Sequence, residues 1–214
     1  MTYTLYFSPG AASFAVHWML LEIGAPFEAI GLDLEAGDQR ADDYRRLNPQ
    51  GRVPTLVVDG RPVRESAALL MLLAERHPEA GLAPAPNAVD RAGWLETTVF
   101  LANGLLPPMR DWFYADKDGD PGHADGVRAL ARRRIEGVWD RLDEALAGDR
   151  PYLVGEGFST ADILAVMGMR WSRNMPKPAT DWTNLAPYIK RHRARPAFLD
   201  LCRREGLTDW VNPG

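Results

Sequence analysis

One cysteine, Cys202, occurs in 214 residues. That excludes an internal disulfide and, with no charged-then-apolar leader pattern at the start, makes a cytoplasmic protein the expectation. No stretch approaches eighteen uninterrupted apolar residues, so no membrane-spanning helix is expected. The four histidines, His17, His77, His123 and His192, are too scattered for metal-ligand spacing, and no metal is expected. Walker A and dinucleotide glycine motifs are missing. So is a basic excess: the net charge is -4, with ten acids against seven bases over residues 1–78 and nineteen against eighteen beyond them. Nucleic acid is therefore not an expected partner, and the clusters Arg132-Arg133-Arg134 and Lys190 to Arg195 read as solvated helix faces. Asp116, Asp118 and Asp120 have calcium-loop spacing, but Pro121 stands where such a loop needs glycine and Val127 where it needs glutamate.

What is present suffices for a packed fold. Hydrophobic residues make up 46% of the chain, and seven tryptophans point to large buried aromatic contacts or an aromatic-lined pocket. Residues 2–7 alternate as a strand, SPGA breaks it, and Ser13 to Ile23 carries helical spacing up to Gly24. A second strand is expected over Phe27 to Leu34, a short helix over Gln39 to Leu47, a hairpin over 53–58 and 61–64, and a helix over 66–77. The order βαβαββα is that of a thioredoxin-like domain, here residues 1–78. Residues 79–89, which include most of PEAGLAPAP, read as a linker. Residues 90–214 carry helical periodicity without strand signals, in segments 90–115, 123–147, 159–174 and 184–205, and form an all-helical second domain. Pro107-Pro108 should kink or split the first of these helices. Ser159 and Asp162 read as a structural capping box, with an acid at the third helical position.

Val53-Pro54 and Glu65-Ser66 are the most informative residues. Pro54 opens a strand where its missing N–H costs nothing, and a cis Val53-Pro54 bond would turn the Val53 backbone outward to pair with an extended peptide. Glu65 and Ser66 open the helix AALLMLLAERH, whose positive end is available to an anion.

Preceded by TYTLYFSPGAAS, this ordered set resembles the glutathione transferase family, and within it the bacterial beta-class members. The resemblance covers essentially the whole chain. It implies a cytoplasmic detoxification enzyme with the glutathione transferase fold, glutathione as co-substrate and a homodimeric state. A small hydrophobic electrophile would be the second substrate, held between the domains. Val53, beside Pro54 in the glutathione-binding clamp, would pair through its backbone with the cysteinyl unit, Glu65 and Ser66 would hold the γ-glutamyl end, and Arg52 would be a further contact. Beta-class members carry cysteine at the place of Ala12, and serine-using relatives carry it near Gly10. Ser13 is therefore the expected catalytic residue, stabilising the thiolate, with helix capping as its alternative role. Without a thiol on that loop, glutaredoxin-like exchange is not expected there. Asn103 matches roughly the place of a beta-class histidine, and Met109, Trp112 and Phe113 would line the hydrophobic pocket with it. Two other readings share the clamp: a non-catalytic glutathione- or ligand-binding protein, and a glutathione-dependent isomerase or dehalogenase.

Overall fold

The computed structural model describes residues 2–148 and 150–211, and the chain divides into two units, Met1–Ala83 with Arg193–Gly214, and Pro84–His192. In the first unit, β1 (Tyr3–Phe7) lies between β2 (Glu28–Gly31), to which it is parallel, and β3 (Thr55–Val58), to which it is antiparallel. Antiparallel β4 (Arg61–Val63) forms the edge, giving the order β2-β1-β3-β4. The β3–β4 hairpin turns on Asp59 and Gly60, both at positive φ (50° and 81°) as a type I′ turn requires. This mixed sheet is the thioredoxin-like arrangement.

The crossover from β1 to β2 is α1 (Ser13–Ile23), in which every residue from Ser13 to Leu20 is buried. Such an all-round apolar helix must be covered on several sides. It contacts β1, α3 (Ser66–Arg76) and the C-terminal helix α9 (Pro196–Arg204). Phe198 of α9 meets Phe14 and Trp18 edge-on, with ring centroids 5.7 and 5.0 Å apart. Arg195, the residue before α9, grips the Glu22 carboxylate with two bonds of 2.7 and 2.8 Å. Residues from Arg193 onward thus pack with the first unit, whereas the sequence reading grouped 90–214 together. Pro196 is the physical reason, because it ends α8 (Leu185–Arg193) and starts α9 as a separate helix where one helix over 184–205 was expected. Between β2 and β3 the expected helix is likewise divided, into a 3₁₀ turn, Asp38–Arg40, and α2 (Asp42–Leu47).

The second unit is helical. Leu105 separates α4 (Arg91–Gly104) from α5 (Leu106–Asp118), and Pro107-Pro108 fall in the first turn of α5, where missing N–H groups cost no helix bond. α6 (Ala124–Ala145) and α7 (Thr160–Trp171) follow. α7 is buried from Thr160 to Arg170, and a Cβ on Gly168 would lie 2.5 Å from Leu105, so glycine sets the approach there. Ser159 and Asp162 form the capping box of α7, the Ser159 N–H donating to Asp162 Oδ2 at 2.8 Å. Asp162 Oδ1 accepts from the Leu153 N–H and from the Tyr188 hydroxyl. Burial pushes the Asp162 carboxyl above the usual carboxylate range and the Tyr188 phenol well above its own. Among the described residues no helix is long and apolar enough to cross a membrane.

Candidate functional site

The loop between β1 and α1 turns on Gly10, at φ 67°. Ser13 closes it: its hydroxyl donates to the Ser8 carbonyl at 3.2 Å and accepts from the Ser8 N–H at 3.1 Å. Ser13 is fully buried. It is the first helical residue and not the N-cap, which is Ala12 in helical conformation with no side-chain cap bond. The hydroxyl of Ser13 is therefore a loop clasp. Ala11 donates its N–H to Ser8, while among the described residues the N–H groups of Ala12 and Ser13 have no partner. Two donors are left at the positive end of an eleven-residue helix.

A second helix start lies beside the first. Ser66, at the head of α3, donates its hydroxyl proton to the Ala12 carbonyl at 3.0 Å. Glu65 before it is exposed, with φ 70° and ψ 111°. A non-glycine residue held there costs about 1–3 kcal/mol, a strain that clusters at ligand clamps.

The Val53-Pro54 bond is cis, and among the described residues neither the N–H nor the C=O of Val53 has a hydrogen-bond partner. Its surroundings are ordered by a polar group that sequence patterns did not single out. Tyr44 and Asn48 both donate to the Arg52 carbonyl, and both also meet Thr55 Oγ1, at 2.8 and 3.2 Å. All three are buried. Desolvation is the main influence on the Tyr44 phenol and pushes its pKa up, so it remains a neutral donor. The Arg52 side chain is exposed.

Also missed was a buried pair 188 residues apart: His17 Nδ1 lies 2.8 Å from Glu205 Oε1. The other carboxylate oxygen accepts the Gly10 N–H at 2.7 Å. No local signal announces such a contact. Only the packing of α9 on α1 creates it.

In the helical unit the four expected pocket residues do not converge. Met109 is fully buried core, Trp112 is half-buried, Phe113 is 44% exposed, and Asn103 is exposed. Pro108, Met109, Trp112 and Ala115 form the inward stripe of α5, and Phe113 lies about 100° round from Trp112. Asn103 lines an open groove of about 440 Å³ with Phe100, Pro107, Pro108, Arg134 and Arg141. Among the described residues no cluster of three or more histidines, cysteines or acids could hold a metal ion.

Two family models match the chain: the glutathione S-transferase N-terminal domain over residues 1–75 and the C-terminal domain over residues 126–196. A glutathione S-transferase of Xanthomonas campestris is 31% identical over 209 residues, covering 95% of this chain and 98% of that one. A solved sphingomonad glutathione S-transferase complexed with glutathione superposes with a TM-score of 0.83 at 33% identity, covering 96% of this chain and all of the other. The bacterial beta-class enzyme of Sphingomonas chungbukensis gives a TM-score of 0.83 at 30% identity, with the same coverage.

Proposed function

Because the chain belongs to the glutathione S-transferase family, we propose that it conjugates the thiolate of glutathione to small hydrophobic electrophiles, from a site built on the starts of α1 and α3. It is a bacterial beta-class-like transferase, with glutathione as its co-substrate. The observation that carries the site is the bond from Ser66 to Ala12, which puts the positive ends of two helices side by side. Glutathione brings two carboxylates and, once ionised, a thiolate, so paired helix starts match its charge.

In this reading Val53, next to Pro54, offers its unpartnered N–H and C=O to the cysteinyl unit as a short added strand. Glu65 takes the free amine, Ser66 with the first turn of α3 takes the γ-glutamyl carboxylate, and Arg52 reaches an outer carboxylate. The thiolate lies over the N–H groups of Ala12 and Ser13. A free thiol ionises near about 8.5, and a helix start lowers that value. Ser13 serves catalysis through its N–H and by clasping the loop. Donating its hydroxyl to the sulfur would mean leaving the Ser8 carbonyl.

Residues 1–78 are the glutathione-binding part in this reading, 79–89 the link, and the helical residues that follow the electrophile-binding part. The state is a cytoplasmic homodimer and the role detoxification, as the family resemblance implies. Titrating the ultraviolet absorbance of bound glutathione against pH tests the thiolate, and turnover of a chlorodinitroarene tests transfer. Binding with no ionisation and no turnover across an electrophile panel would instead favour a ligand-binding protein.

A further inference from the structure

We propose that Glu205, held by His17, is a positioning residue for the loop that carries the thiolate, so that the last helix of the chain tunes the first turn of α1. The inference rests on the thiolate reading above. The loop is fastened at three points: Ser8 by the Ser13 hydroxyl, Ala12 by the Ser66 hydroxyl, and Gly10 by the Glu205 carboxylate at 2.7 Å. Of these, Gly10 has the most freedom to lose. It sits at φ 67° with no side chain of its own, and the Glu205 carboxylate holds its N–H from outside the loop. Two residues further on lie the unpartnered N–H groups of Ala12 and Ser13. A swing of Gly10 would re-aim both.

Stability alone does not explain a carboxylate here. The Glu205 side chain is fully buried and that of His17 is 1% exposed. Burying such a pair is a weak stability device, because desolvation offsets the attraction. The helix α9 is already held by Phe198 against Phe14 and Trp18 and by Arg195 on Glu22. What the pair adds is direction. His17 fixes one carboxylate oxygen at 2.8 Å, and Phe7 and Phe27 flank its ring edge-on at 5.2 and 5.4 Å, leaving its buried Nε2 without a partner among the described residues. The second oxygen is thereby aimed at Gly10.

The test uses the full chain with Glu205→Ala, Glu205→Asp and Glu205→Gln, reading the ionisation of bound glutathione alongside kcat and KM. Glu205→Ala should raise the midpoint of thiolate formation by about one pH unit and lower kcat about tenfold, with KM for glutathione changing less than about threefold. Glu205→Gln presents an oxygen to Gly10 and an amide to His17, so it should recover most of the lost rate. Glu205→Asp keeps the charge but withdraws by one methylene, and it should behave like the alanine variant even if that variant fails to fold. An unchanged midpoint and kcat in Glu205→Asp, with only a lower melting temperature, would reduce the pair to a structural strap. A parent that binds glutathione without ionising it would overturn the thiolate reading and this inference together.

Discussion

Ser66 donates its hydroxyl proton to the carbonyl of Ala12 across 3.0 Å. The two residues are 54 positions apart and stand at the heads of different helices, so one hydrogen bond joins the starts of α1 and α3. Because the hydroxyl spends its proton on the protein, what Ser66 has left for a bound carboxylate is its N–H and the dipole of α3.

Glu65→Gln with Ser66→Ala should weaken glutathione binding at least about tenfold, since a hydrogen bond to a charged group contributes about 1.5–3 kcal/mol. Calorimetry checks it, and undiminished affinity would refute the clamp. Glu65→Gly alone separates strain from recognition. Glycine relieves the positive φ of 70°, so the melting temperature should hold or rise while affinity falls.

Ser13→Ala removes both hydrogen bonds to Ser8 and leaves its buried N–H unsatisfied, while the Ser8 C=O keeps the Ala11 N–H, a loss of about 1–3 kcal/mol of stability. Turnover should also drop about tenfold, because a loosened loop misplaces the donors under the sulfur. Glutathione affinity should change much less. A parent-like thiolate midpoint in a destabilised Ser13→Ala protein would leave the loop clasp as this residue's whole contribution.

Tyr44→Phe should lower affinity for glutathione by removing one of the two donors on the Arg52 carbonyl next to Val53, and it should also alter the alkaline stability profile. The phenol's pKa is raised in the folded protein, chiefly by desolvation. The folded state therefore holds this proton more tightly than the unfolded chain does. The associated stability is complete below about pH 10, the unfolded value, and is lost as pH rises through the folded value. Denaturant titrations should show that alkaline slope in the parent and not in Tyr44→Phe.

Light scattering should report a homodimer, twice the 23.8 kDa of one chain. Only monomer at micromolar concentration would contradict the assembly proposed here.

The sheet domain was legible because its signals are local. Alternation in β1, the Asp59-Gly60 turn and the apolar run from Ser13 to Ile23 each lie within a dozen residues, and α1 has the same bounds in the sequence reading and in the structure. Ser159 and Asp162 were readable for the same reason: a capping box is closed by residues three apart. The backbone at Val53-Pro54 was readable in the same way, because a proline at a strand start needs only its own neighbours to set it. Tertiary packing alone decided the rest. The hydroxyl of Ser13 goes to Ser8 because the loop folds back on the helix start, which no spacing encodes. The split at Pro196 let α9 return to α1, and with it Glu205 arrived beside Gly10 and His17. Met109 and Phe113 parted because burial depends on which stripe of a helix its neighbours cover, and a sequence specifies the stripe without naming the neighbours.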